Sequence, residues 1–142
     1  MQRDTSAPKF CRVIPSTLEA LEVVVGSVMT VVKTLPCSPT EVDDVDLALR
    51  EALANAIFHG NRADPAKKVI VACFCECASG GGLLLVVRDE GAGFDPAQVP
   101  APTTPETICS THGRGIFLMR HLMDEVYYRN GGREVELRKR GN

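Results

Sequence analysis

Two patterns share one helical stretch between residues 42 and 60. Val42, Val45, Leu49, Leu53 and Ile57 recur three or four apart, so they fall on one face that needs a core to meet. Glu51, Asn55 and His59 recur four apart and stack along a second, polar stripe, bordered by alanines at 52, 54 and 56. The small neighbours leave room beside the stripe. A carboxylate and an amide placed this way suit magnesium and phosphate chemistry. Asn55 can offer its carbonyl oxygen to the ion, and Glu51 can take a proton from a hydroxyl or a water. Taken alone, the same stripe also fits an exposed helix surface, and His59 also fits a helix-end cap.

Ser38 is placed to cap this helix, with Pro39 at the first helical position, Glu41 at the third, and Gly60 at its end. An earlier capping box, Ser16 to Glu19, opens a helix of about 18 residues with apolar positions Leu18, Leu21, Val25, Val28, Val32 and Leu35. A short edge strand, KFCRVI at 9–14, precedes it. After a turn-rich stretch, KKVIVACFCECA reads as a strand, SGGG at 79–82 as a hairpin turn, and LLLVVRDE at 83–90 as a more buried strand. Residues 91–112 hold four prolines and no sustained period, the mark of an open loop of the kind that serves as a lid. A third helix is expected from about Gly113, then a hairpin of EVYYRN and REVELRKR around Gly131-Gly132. This order gives a layered α/β sandwich with helices over one sheet face. It lacks the glycine fingerprint that joins strand to helix in a dinucleotide fold.

With 142 residues, 44% of them hydrophobic, the chain is sized for one domain with one core. Its net charge of -2 is spread evenly along the chain, which points away from nucleic acid and from membrane surfaces. The start, MQRDTSAPKF, reads as neither signal peptide nor anchor, so a cytoplasmic setting is expected. Of six cysteines, Cys73, Cys75 and Cys77 alternate along one strand and share a face. No second cluster answers them as a zinc site requires, so reduced, buried thiols are expected.

Two further motifs carry chemistry. In Asp89-Glu90-Gly91-Ala92-Gly93-Phe94-Asp95 an acid ends a buried strand and leads into two glycines. Asp89 can accept a bond from an exocyclic amine, and Gly91 and Gly93 let the backbone approach a planar ring or a phosphate. A strand-end turn or a cation loop would read the same way. In Thr111-His112-Gly113-Arg114-Gly115-Ile116, glycines open a helix whose free N–H groups can receive an anion, with Arg114 as a second contact. No G-K-[ST] follows, which excludes a P-loop.

The order of these pieces resembles the GHKL (Bergerat-fold) ATPase superfamily, and within it the bacterial anti-sigma-factor serine/threonine kinases of partner-switching systems. EALANAIFHGN at 51–61 is similar to their N-box, RDEGAGFDP at 88–96 to the first glycine box, and HGRGIFLMRHLMDEV at 112–126 to the second. The resemblance implies a single domain over 1–142, with its core at about 9–139 and an ATP lid at about 97–112. It also implies a mixed, mostly antiparallel sheet in a two-layer sandwich. It assigns ATP and Mg2+ as cofactors, with Asn55 on the metal and Glu51 as the general base. Asp89 would meet the adenine amine, Gly91 and Gly93 the base pocket, and Gly113, Arg114 and Gly115 the phosphates. The implied partners are a STAS-domain anti-anti-sigma factor, phosphorylated on serine or threonine, and a sigma factor or similar regulator; a homodimer is also compatible. The alternative is a catalytically weak ATP-binding switch of the same fold that acts by protein binding only. One departure stands out: relatives often carry Gly-Thr near the final hairpin, where this chain has Gly131-Gly132-Arg133-Glu134.

Overall fold

The computed structural model describes residues 7–35, 41–76, 82–98 and 111–140, with backbone alone for 111–113. The first strand, β1 (Phe10–Pro15), leads into α1 (Leu18–Thr34). Its cap is Thr17, whose hydroxyl accepts the Ala20 N–H at 3.2 Å, and not the expected Ser16. Ser16 is 1% exposed, and its hydroxyl donates to the Lys67 carbonyl at 2.7 Å. A buried hydroxyl needs a partner, and that tertiary bond takes it out of the capping role. Leu21, Val24, Val25, Val28, Met29 and Val32 form the buried face of α1. Leu18, expected on that face, is exposed in the first turn.

The second helix, α2 (Val42–Ala54), starts after Glu41, which makes no side-chain cap bond. Ser38 and Pro39 of the expected cap lie outside the described residues. Val45, Leu49, Leu53 and Ile57 are fully buried, as their spacing predicts. The α-helical pitch ends at Ala54, however, and Asn55–Gly60 winds as a π-helix. Its closing bond runs from the Asn61 N–H to the Ala56 carbonyl at 2.8 Å, five residues back. Arg62 (φ 53) and Ala63 (φ 56) then take the left-handed conformation and turn the chain toward the sheet.

The strands β2 (Lys68–Cys75) and β3 (Gly82–Arg88) are followed by α3 (Thr111–Leu122) and the hairpin of β4 (Glu125–Arg129) and β5 (Glu134–Arg140). The sheet order is β1-β2-β3-β5-β4, and every pairing among the described residues is antiparallel. The helices cover one face, where Val69, Val71 and Cys73 of β2, Leu83, Leu85 and Val87 of β3, and Val135 and Leu137 of β5 join the main core. The result is the two-layer α/β sandwich the element order implies.

On the other face Ala72, Leu84 and Val86 form a small second cluster with Phe74. Beside it, Arg138 pairs with Glu76 at 3.0 Å, and Arg129 with Glu136 at 3.0 Å. Cys73 and Cys11 are free thiols, and burial pushes the Cys73 thiol up to about 11, which keeps it protonated. Cys75 departs from the expected reduced state. It is disulfide-bonded, at the last residue of β2, where the chain reverses. Cys77 and residues 99–110 of the expected lid lie outside the described residues. Among the described residues no helix is long and apolar enough to cross a membrane.

Candidate functional site

The topology brings three chain reversals to one end of the sheet. The end of β3 lies beside the turn of the β4–β5 hairpin because β5 pairs with both strands, and Asp89 donates its N–H to the Arg133 carbonyl at 2.8 Å. The π-helical turn abuts the same loop. A β-carbon at Gly91 would overlap the Gly60 carbonyl, and one at Gly60 would overlap the Asp89 carboxylate, so these segments touch backbone to backbone. Gly93 has φ +79, and a β-carbon there would overlap the Gly131 carbonyl.

Between them lies a cavity of about 270 Å³. Ala52, Asn55, Ala56 and His59 form its helix wall, confirming the room beside the stripe that the alanines imply. Asp89, Ala92, Gly93 and Phe94 come from the loop after β3, and Gly132 and Arg133 from the hairpin. The Phe94 ring meets Tyr128 edge to face at 5.1 Å.

Among the described residues Asp89 is the one carboxylate of this wall. Burial raises its pKa above the ordinary value; the Gly91 N–H, which it accepts at 2.8 Å, and the charges of Arg133 and Lys67 pull the other way. Asn55 has a buried amide nitrogen with no hydrogen-bond partner among the described residues. Such an atom costs free energy unless a ligand or solvent meets it. Glu51, one turn earlier, stands off the cavity wall, but its carboxylate flanks Asn55. Gly115 of α3 lies over both: a β-carbon there would be 3.0 Å from the Asn55 amide nitrogen and 3.1 Å from the Glu51 carboxylate.

The third helix already includes Thr111, ahead of the start expected near Gly113, so Gly113 and Gly115 both lie within it. Arg114 is exposed and is not part of the cavity wall. The structure therefore gathers Asn55, Asp89 and Gly93 around one cavity, sets Glu51 and Gly115 against Asn55, and leaves Arg114 outside. Two cationic wall residues, Arg62 and Arg133, went unmarked as candidates. The signals that point to them are Arg133's place directly after Gly131-Gly132 and Arg62's place just past the end of the helix.

The family pattern of the histidine kinase-like ATPase domain matches residues 14–139. The chain belongs to that family. The match spans α1 through β5 and takes in every residue of the cavity wall. The chain is also 35% identical to the anti-sigma F factor of Geobacillus thermodenitrificans, over 70% of this chain and 69% of that protein. Its identity to the anti-sigma F factor of Geobacillus stearothermophilus is 33%, over 80% of this chain and 79% of the other. For the anti-sigma F factor of Clostridium perfringens the figures are 32%, 82% and 84%. In this histidine kinase-like ATPase domain the cavity is thus built by the π-helical turn, the loop after β3 and the last hairpin, with Gly115 of α3 at its flank.

Proposed function

We propose that the chain is a single-domain protein serine/threonine kinase. It would bind Mg-ATP in the cavity, phosphorylate a STAS-domain antagonist, and hold a sigma factor or similar regulator. The observation that carries this reading is the Asn55 amide, buried beside the Glu51 carboxylate and lining the same cavity as Asp89. Oxygen and nitrogen of an asparagine amide exchange places by a flip. Turned over, Asn55 presents a carbonyl oxygen where its nitrogen finds no acceptor, and that is a fitting ligand for a hard cation. Among the described residues no group of three acidic, cysteine or histidine ligands is assembled. This suits magnesium, which is held by one or two protein groups together with substrate phosphates. When bound, the ion would supply charge neutralisation on the phosphates.

The chain's own residues divide the remaining work. Asp89 accepts a hydrogen bond from the exocyclic amine of adenine, while Gly91 and Gly93 bring backbone close to the base. Gly113 and Gly115 let the start of α3 approach the phosphates, with Arg114 assisting from outside. Glu51 takes the proton of the target hydroxyl as that oxygen bonds to the terminal phosphorus and ADP leaves. The added phosphate then works as a charge switch at the antagonist interface. Unphosphorylated antagonist draws the kinase off its regulator; phosphorylation ends that complex and returns the kinase to the regulator. The similarity to anti-sigma F factors supports this regulatory setting.

The test is transfer from γ-labelled ATP with magnesium to purified STAS-domain proteins of the host. Label is expected on a serine or threonine of one of them. Glu51→Gln should keep ATP affinity within about twofold and lose at least about 100-fold in transfer rate, the low end of general-base effects. The second reading, a switch that binds nucleotide and partner without transfer, draws on Glu51 standing off the cavity wall. ATP binding with no label on any candidate would select it.

A further inference from the structure

We propose that Arg133 is a positioning residue that holds the base-binding end of the cavity in shape and so sets its preference among purines. This rests on the nucleotide reading above. Between Asp89 and Asp95 the chain forms no helix or strand, yet it supplies Asp89, Ala92, Gly93 and Phe94 to the cavity wall. Something outside the loop must keep it in place. The Arg133 guanidinium donates through Nε to the Gly91 carbonyl at 2.8 Å, through Nη2 to the Ala92 carbonyl at 2.9 Å, and through Nη1 to the Asn130 carbonyl at 2.9 Å. One planar group therefore pins two consecutive peptides of the loop to the turn of the hairpin.

The backbone completes the staple. The Asp89 N–H meets the Arg133 carbonyl, and the Phe94 N–H meets the Gly131 carbonyl, both at 2.8 Å. Arg133 thus holds Asp89, the group placed to read an amine on the base, through its carbonyl, and Gly91 and Ala92 through its side chain. Adenine offers that carboxylate a donor; guanine offers a carbonyl oxygen at the same corner. A loop held rigid keeps that distinction, and a loop free to shift loses it. Lysine cannot substitute, because a single ammonium does not reproduce a fork with three fixed directions.

The experiment compares the full-length wild type with Arg133→Lys and Arg133→Met. Calorimetric affinities are measured for ADP, GDP and inorganic tripolyphosphate, each with magnesium. Both variants should bind ADP at least tenfold more weakly and lose at least fivefold of the ADP-over-GDP preference, with tripolyphosphate affinity within twofold of wild type. Equal losses for ADP and tripolyphosphate would mark a general structural role and overturn the proposal, as would unchanged ADP affinity or preference. Hydrogen exchange of the nucleotide-free Lys variant gives an independent readout, since that variant keeps stem and charge. Amides 89–94 should exchange at least tenfold faster while those of α1 stay unchanged; uniform behaviour overturns the clamp. A wild type that binds no nucleotide would bring down the nucleotide reading instead, and the exchange measurement would still decide the clamp.

Discussion

The Asn61 side-chain oxygen accepts the Glu90 N–H at 2.8 Å, which ties the end of the N-box turn to the residue after Asp89. The same amide donates to the Ser16 hydroxyl at 2.8 Å and to the Lys68 carbonyl at 2.9 Å. One side chain, 1% exposed, thus joins the segments that enter α1, leave the π-helical turn, begin β2 and follow β3. The segments that flank the cavity are therefore joined by a polar hub as well as by the apolar core.

Asn61→Ala removes three hydrogen bonds and leaves the Glu90 N–H and the Lys68 carbonyl without this partner, a loss of about 2–4 kcal/mol. For a domain of this size the melting temperature should fall by on the order of 10 °C. Asn61→Asp should do no better, because a carboxylate offers no donor to the Lys68 carbonyl. Thermal unfolding of both variants checks this, and a change within 2 °C for either would contradict the hub.

What was legible in the sequence follows from what kind of interaction wrote it there. The core faces of α1 and α2 were readable because burial imposes a period, and Val25, Val28, Val32, Leu49 and Leu53 keep it. The alternation of Val69, Val71 and Cys73 was readable for the same reason. The Thr17 cap was not, since serine is if anything the better cap residue and the choice turns on Lys67, 51 positions from Ser16. The π-helical turn left no trace because a change in hydrogen-bond register needs no change of residue type. The place of Arg133 directly after Gly131-Gly132 hints at a role, but its partners were not readable, because they are the backbone carbonyls of Gly91, Ala92 and Asn130 and no side chain advertises them. The candidate residues Asn55 and Asp89 were visible because buried chemistry requires polar types in an apolar context.

The raised pKa of Asp89 makes a prediction about stability and pH. Burial is its largest cause, opposed by the Gly91 N–H, Arg133 and Lys67, while His59 and Arg62 share the cavity wall. A carboxyl with its folded pKa above the ordinary 3.8 binds more protons folded than unfolded. Its contribution to stability is therefore fully present below that value and is lost as pH rises through the folded pKa. Asp89→Asn has no charge to bury, so it should gain stability relative to wild type across that window and hold the gain at pH 7. Urea unfolding of both proteins in parallel cancels the other titrating groups; a difference that does not change with pH would contradict the assignment.

Gly91→Ala tests the contact between the two boxes. Its β-carbon would overlap the Gly60 carbonyl, a backbone atom that cannot rotate away. Relief requires the loop and the helix end to part, at a cost of about 1–3 kcal/mol. The Gly91 N–H that Asp89 accepts would move with them. ADP affinity should fall at least tenfold along with the stability, and calorimetry showing wild-type affinity would mean that the two segments can separate without disturbing Asp89.

Gly26→Ala should act in the opposite direction. Gly26 lies in the interior of α1, exposed, and a β-carbon there meets nothing within 4 Å. Its carbonyl accepts the Thr30 hydroxyl at 2.8 Å, a bond that alanine leaves intact because it involves only backbone on this side. Alanine restricts the unfolded chain and favours the helix by about 0.5–1 kcal/mol relative to glycine. A rise in the melting temperature of about 2–4 °C is expected, with ATP binding and phosphoryl transfer unchanged. A fall in stability would mean that α1 packs against another surface there, and a loss of activity without a loss of stability would place that surface in the functional cycle.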